Sequence, residues 1–378
     1  MPDLLIWGDT IRSPELRHEV PVAIGDPFLY VEAGGKRAVV IHALEIPRVR
    51  AGTDLEIVSH EQLGLDELAE RGGLERWQIE QELILRGCRE LGVAQASVPA
   101  GFPIGLADYL RENGIDLTVD HDVFSDRRRA KSEEEIAGIR RAQKACEAAL
   151  DIARDLLRRA SPNGAGLEAD GQPLTSERIK RAIEGVFADH DVEGSEMIVS
   201  HGSQTAVGHD MGSGQIRADE PIVFDLFPRD KETGCYADMT RTYVVGEPSE
   251  EVQEWYRLVK EALDRSTAEI RPGKNGRELH ELACAIFADA GYKTQLNKEA
   301  GEVLEDGFFH GLGHGVGLEV HEAPSLGRVG HDLIPGDVVT VEPGLYRAGY
   351  GGLRLEDLVL VTEDGHEVLT DYPYDLTP

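Results

Sequence analysis

Four carboxylates and one imidazole stand where charge is costly: Asp225 in IVFDLFP, Asp238 in YADMTRT, His314 in GLGHGVG, Glu342 in VTVEPGLY and Glu356 in GLRLEDLVL. Each lies in a short apolar or glycine-rich run, not in a charged one. A carboxylate buried among Val, Ile and Leu loses its hydration and needs something positive to compensate it. Divalent metal is the economical compensation. The donor set is hard and oxygen-rich, which suits Mn, Co or Fe(II), or a pair of zinc ions, better than a thiolate-type structural zinc. One ion would be overcharged by four carboxylates, whereas two ions sharing bridging carboxylates neutralise them. A pair about 3.5 Å apart can hold a hydroxide and polarise a carbonyl.

Strands must bring these residues together. PIVFDLF and CYADMTRTYVV read as a hairpin turning through RDKETG, so that Asp225 and Asp238 face each other across it. DVVTVEPGLY and GLRLEDLVL read as a second pair of strands carrying Glu342 and Glu356, fourteen residues apart. Period-two alternation places Arg354, Glu356, Leu358 and Leu360 on one face. Around His314, glycines at 311, 313, 315 and 317 permit close backbone approach and unusual φ/ψ. HGLGH is not the zinc-peptidase HExxH, because Gly replaces the Glu and breaks a helix. GLGHGVG lacks the following Lys-Ser/Thr of a phosphate loop.

The remaining chain supplies scaffolding. Residues 1–126 alternate strand-like PFLYVEA, KRAVVIHA, DLEIVSH, ASVPA and DLTVD with helical LDELAERG and LERWQIEQELILRGCRELG, which predicts a smaller α/β layer domain. No catalytic constellation groups there. A boundary falls near DVFSDRRRAKSEEE, and residues 131–378 form the second domain. Ser132 and Glu135 make a capping box that opens a helix of nearly thirty residues. SPNGAGLEADGQPL is predicted as a loop, and helices are predicted over 176–189, 250–270 (Ser249 as N-cap) and 277–290, with Gly291 as a stop. Helices and antiparallel strands mix without βαβ regularity, so this domain reads as α+β.

Composition excludes some partners. A net charge of −31, from 70 acidic against 39 basic residues, argues against nucleic-acid binding. No run approaches the ~18 apolar residues of a spanning helix, so no membrane partner is expected. MPDLLIWGDT has no basic n-region before a long apolar stretch, so no signal peptide is expected and the predicted location is cytoplasmic. Cys88, Cys146, Cys235 and Cys284 are scattered, with no CxxC pair, and read as reduced thiols. Lysine is scarce, 9 against 30 arginines. Acidic, Lys-poor chains resemble the proteins of halophiles, whose molar salt screens self-repulsion. The melting temperature is therefore expected to be higher in about 3 M KCl than in about 0.1 M, and equal values would count against this reading.

Taken with VFDLFP…YADMTRTYVVG, FHGLGHGVGLEVHE, VTVEPGLY and GLRLEDLVLV, the sequence resembles the metallopeptidase family of aminopeptidase P, prolidase and methionine aminopeptidase. The resemblance is strong over residues ~130–378 and weak over the N-terminal half. It implies a C-terminal pita-bread catalytic domain, preceded by a creatinase-type N-terminal domain. It further implies that Asp225 chelates one metal, that Asp238 and Glu356 bridge two, and that His314 and Glu342 hold the second. Mn is the expected ion, with Co, Zn or Fe as alternatives. By the same resemblance His209, His310 and His321 are substrate-pocket histidines and His321 is the donor to the oxyanion. Glu342 is also the proton carrier, and Arg354 precedes the last ligand as in proline-specific members. The implied reaction is hydrolysis of the Xaa-Pro bond by a metal-bridging hydroxide, with proline-containing peptides as substrates and a homodimer as the assembly. The Glu342–Glu356 interval resembles prolidase and aminopeptidase P, while the thirteen-residue Asp225–Asp238 interval is two longer than usual in the family. An amidohydrolase acting on a non-peptide amide, or a non-catalytic scaffold of the same fold, stay open as alternatives. Arg354 can also be read as a plain salt-bridge partner of Asp357 or of the cluster.

Overall fold

A computed structural model of the chain describes residues 3–164 and 166–378. The chain divides into two compact units, Met1–Arg128 and Arg129–Pro378. In the first, six strands lie in the order Glu56–Ser59, Lys36–Ile41, Phe28–Ala33, Leu4–Gly8, Gln95–Val98 and Asp116–Val119. Alternate side chains serve opposite faces, as a pleated strand requires. Leu5, Leu29, Val31 and Val40 join Leu83, Leu85 and Leu110 in one core. Leu4, Ile6, Tyr30, Val39 and Ile41 join Leu16 and Val49 in the other. A sheet buried on both faces is the layered α/β arrangement that the alternation of strands and helices predicted.

The second unit opens with the helix Glu133–Arg158, capped at Ser132. The Ser132 Oγ accepts from the Glu135 N–H at 3.1 Å, and the Glu135 carboxylate accepts from the Ser132 N–H at 2.8 Å. Two backbone donors that a helix start leaves unpaired are thereby satisfied. Ile139, Ala142, Cys146, Ala149 and Ala153 recur at helical spacing and pack with Ile179, Ile183 and Phe187 of the helix Ser176–Asp189. Beneath them lie the antiparallel strands Ile198–His201, Pro221–Leu226 and Met239–Val244. A second helix pair, Glu250–Ala268 and Gly276–Asp289, covers a five-stranded sheet through Trp255, Val259, Ala262, Leu279, Ala283 and Phe287. Two strands of that sheet, Val338–Val341 and Asp357–Val361, divide their side chains between the two cores. Val338, Leu358 and Leu360 face the first helix pair, while Val339, Val341, Val359 and Val361 face the second. The fold is α+β, and the site-bearing strands lie between the two helical layers. The four cysteines are buried and unpaired.

Three local expectations need correction. Residues 161–174 are not an open loop but contain three short paired strands, Ser161–Asn163, Gly166–Ala169 and Gln172–Pro173. Leu167 and Leu174 are fully buried there and tie the ribbon to the core, and segments this short show no period to read. Asp225 does not sit opposite Asp238. In register it faces Thr240, and Asp238 immediately precedes the strand Met239–Val244, on the diagonal and two residues from Thr240. DVVTVEPGLY and GLRLEDLVL are each broken in two, into Val338–Val341 plus Gly344–Arg347, and Gly351–Arg354 plus Asp357–Val361. Pro343 has no N–H to give the ladder, so the pairing changes there. Val338–Val341 and Asp357–Val361 pair in one sheet, and Gly344–Arg347 and Gly351–Arg354 form a separate ribbon.

Candidate metal centre

That break aims the two glutamates. Val341 pairs with Asp357, so Glu342, just after its strand, and Glu356, just before its own, emerge at the same end of the ladder. Both backbones are pinned: the Glu342 N–H donates to the Leu312 carbonyl at 2.8 Å and the Glu356 N–H to the Thr240 carbonyl at 3.0 Å. The second bond joins this sheet to the strand that follows Asp238. His314 comes from Gly313–Gly315, where the pairing shifts register. Close approach is what its flanking glycines provide. A Cβ on Gly313 would meet the Thr340 carbonyl at 2.0 Å, and one on Gly315 the Ala323 carbonyl at 2.2 Å. Neither has a positive φ, so the expectation of unusual φ/ψ does not hold there.

Asp238, His314 and Glu356 offer ligand atoms within 4.8 Å of one another. The His314 Nε2 lies 3.5 Å from Glu342 Oε1 and 3.8 Å from Asp238 Oδ2, too far for hydrogen bonds. Its Nδ1 is 3.1 Å from the Gly315 carbonyl, which accepts from an Nδ1–H and leaves Nε2 free to ligate. Asp225 joins through Arg354, whose Nη2 is 2.6 Å from Asp225 Oδ2. Arg354 also donates to the Tyr346 hydroxyl at 2.9 Å and to Thr240 Oγ1 at 3.3 Å. The Thr240 hydroxyl in turn donates to Glu356 Oε2 at 2.7 Å. Asp357 is not the partner of Arg354, because Arg241 holds that carboxylate at 2.9 Å, both side chains being buried. Arg354 belongs to the cluster.

His310 hangs on the same chain of contacts. Its Nδ1 donates to the Gly311 carbonyl at 2.8 Å and its Nε2 accepts from Tyr346 at 2.9 Å, with Glu342 Oε2 3.9 Å from Nδ1. The His321 ring packs on His314, centroids 4.2 Å apart. His209 follows the 3-10 turn Gly202–Ala206 and is exposed. All nine residues singled out in the sequence for the site line one cavity of about 800 Å³. Its other walls are largely apolar, with Ile198, Val207, Met211, Phe227, Phe309 and Val320.

Concentrating carboxylates here perturbs them strongly. Burial, then repulsion from Glu356, Asp225 and Glu342, holds the Asp238 carboxyl well above the usual range. Burial, then Glu342 and Asp225, does the same to Glu356. Burial pushes Glu342 up to about 8, against the pull of Arg354 and with the push of Asp225. The imidazoles move the other way. Burial takes His314 down to about 4 and His310 to about 3, with His321 and Arg354 respectively adding to it. Burial also lowers His321, helped by His209. A neutral imidazole at His314 beside carboxylates short of positive charge is a donor set that could hold a cation. One buried atom, Asp238 Oδ1, has no hydrogen-bond partner among the described residues. A divalent cation satisfies both the orphaned oxygen and the excess charge, so the residues present fit such an ion.

The description of metallopeptidase family M24 matches residues 137–363. The chain belongs to that family. It is 32% identical over 290 residues to a Xaa-Pro dipeptidase of Pyrococcus horikoshii, covering 76% of this chain and 74% of the relative. Among solved structures it is similar to a prolidase from the same organism, with a TM-score of 0.76 at 25% identity over 100% of this chain and 95% of the other. A Xaa-Pro dipeptidase from Bacillus anthracis gives 0.78 at 25% identity over 100% and 94%. The M24 chain therefore has the pita-bread fold and is a metallopeptidase, a hydrolase.

Within this M24 site, sequence reasoning passed over Thr240 and Tyr346. Thr240 holds Glu356 by side chain and backbone, and Tyr346 bridges Arg354 to His310. Their only sequence signal was position: Thr240 is two residues after Asp238, and Tyr346 four after Glu342. No helix among the described residues is long and apolar enough to cross a membrane.

Proposed function

We propose that this chain hydrolyses the peptide bond before proline, as a Xaa-Pro aminopeptidase or dipeptidase using two divalent ions, with Mn as the working metal. The observation that carries this reading is the convergence of Asp238, His314 and Glu356 within 4.8 Å, with a buried oxygen of Asp238 left without a hydrogen-bond partner among the described residues. Asp225 would hold the first ion, His314 and Glu342 the second, and Asp238 and Glu356 would bridge them. Bound there, the ions supply Lewis acidity that lowers the pKa of water and polarises a carbonyl.

The protein groups do the rest. His321, exposed on the cavity wall and packed on His314, donates to the oxygen that gains charge, a contact worth most in the transition state. Glu342, facing both His314 and His310, carries a proton at its carboxylate toward the leaving imino nitrogen. Arg354 and Tyr346 fix Asp225 and His310 in place, and His209 lines the same pocket, where it would orient the substrate. An Xaa-Pro bond has no N–H, so a site that orients the carbonyl without needing that donor suits it. Residues 131–378 are the catalytic domain in this reading and residues 1–126 the creatinase-type one; a cytoplasmic homodimer is the proposed assembly.

A panel of Xaa-Pro and Xaa-Ala dipeptides and tripeptides, assayed with Mn, Co and Zn, tests it. Cleavage confined to the Xaa-Pro members is expected, and equal rates on Xaa-Ala would sink proline selectivity. The tripeptides separate aminopeptidase from dipeptidase.

A further inference from the structure

We propose that Glu196 selects for a long cationic side chain on the residue before proline, so that Arg-Pro and Lys-Pro peptides are preferred over neutral ones of equal length. The inference rests on the Xaa-Pro reading and names its substrate class.

Five carboxylates line the cavity, and four of them are the candidate ligands. Glu196 is the fifth. It stands in the segment between Val192–Glu193 and Ile198–His201, and it is exposed, with no hydrogen-bond or ion-pair partner for its carboxylate among the described residues. Ile198 lies directly opposite Asp225 in register, and Glu196 comes two residues earlier; both residues line the cavity. The strand of Asp225 separates it from the strand that Asp238 precedes. The line of its strand therefore runs one strand spacing from that of Asp225 and two, roughly 10 Å, from the strand after Asp238, with Glu196 a further two residues along it.

That distance chooses the ligand. The terminal ammonium of a substrate is two bonds from the scissile carbonyl carbon and stays with the cluster. A lysine or arginine side chain extends several ångströms further and can reach Glu196. The walls between are apolar, formed by Ile198, Phe227 and Met211, and suit the methylene stem that such a side chain lays against them. Arg354, the guanidinium in the lining, is committed to Asp225, Tyr346 and Thr240 and gives an acidic side chain no counter-ion.

The test measures kcat/KM for Arg-Pro, Met-Pro and Glu-Pro peptides with wild type, Glu196→Gln and Glu196→Lys, in the lowest KCl that keeps the Mn-loaded chain folded. The Arg-Pro to Met-Pro ratio is expected to fall roughly three- to fivefold in Glu196→Gln, the size of a solvent-exposed ion pair. Glu196→Lys is expected to place Glu-Pro above Arg-Pro. The wild-type preference should shrink towards unity in about 3 M KCl, where screening reaches within about 3 Å or less. A ratio that stays constant across the three proteins, while Xaa-Pro peptides are still cleaved, overturns this inference alone. Failure of the wild type to cleave any Xaa-Pro peptide overturns it together with the proposed function.

Discussion

Asp238→Asn is expected to lower kcat/KM by roughly 10³-fold, since the lost charge stabilisation amounts to several kcal/mol and each 1.4 kcal/mol is tenfold in rate. The same substitution is expected to leave the chelated protein as stable as wild type or more so. Asp238 is 4% exposed, and its Oδ1 is bonded to nothing among the described residues. Burial and three neighbouring carboxylates oppose its ionisation, so without metal its charge works against the fold. Asparagine keeps the shape and removes that charge. A residue retained for packing would behave in the opposite way, losing stability and activity together. Peptidase assays with Mn, run beside thermal melts in EDTA, decide between the two. Turnover within tenfold of wild type, or a markedly lower melting temperature in EDTA, would sink the claim that Asp238 is there to hold an ion.

Much of this site was legible because the cost of burial is written in local context. A carboxylate in IVFDLFP or GLRLEDLVL cannot be solvated, and the strand pattern around it says so. The helices were legible for a related reason. Ser132 with Glu135, Ser249, and Gly291 with its φ of 89° mark the ends of periodic segments, and the structure places the ends within a residue or two of those marks. What pattern could not give was how strands exchange partners. Pro343 forces a break, but where the chain goes next depends on Leu312 and Thr240, which lie far away in sequence. The diagonal offset of Asp225 and Asp238 had the same origin. The turn between their strands carries an additional pairing, Arg229–Asp230 with Val192–Glu193, which the sequence does not announce.

The supporting residues were illegible for another reason. Thr240 and Tyr346 are ordinary strand residues by propensity, and their roles are created by what faces them. Thr240 matters because Glu356 arrives from another sheet, and Tyr346 because His310 and Arg354 converge on one hydroxyl. Exposed Glu196 had the weakest signal of all. In a chain with 70 acidic residues a single glutamate carries no information until a cavity wall gives it a position.

Chelation should also expose a pH dependence opposite to that of ordinary ion-paired proteins. Glu342 has its carboxyl pushed from 4.5 up to about 8, chiefly by burial. The folded state therefore holds a proton that the unfolded state has released, and stability falls as pH rises through the interval between those values. Below pH 6.5 the picture is mixed. His310, His314 and His280 have depressed values, so protonation of the unfolded chain removes stability as pH falls below 6.5. Paired carboxylates such as Glu19 and Asp230 lose their contribution lower still, near and below pH 4.5. The clean window is pH 6.5 to 8. Across it Glu342 alone should remove on the order of 2 kcal/mol from the metal-free protein.

Surface self-repulsion acts in the same direction at lower pH, but molar salt screens exposed charges far more than buried ones. Melting in EDTA and about 3 M KCl therefore isolates the buried set. Wild type should lose melting temperature from pH 6.5 to 8, while Glu342→Gln should show a distinctly shallower loss. Added Mn should reverse the wild-type trend, since ions bind the deprotonated ligands and gain affinity as protons leave. Identical slopes for wild type and Glu342→Gln would mean that Glu342 is not the group being discharged. A wild-type slope of zero in EDTA would mean that these carboxylates are compensated by the protein itself, and the argument for a cation between them would fail at its root.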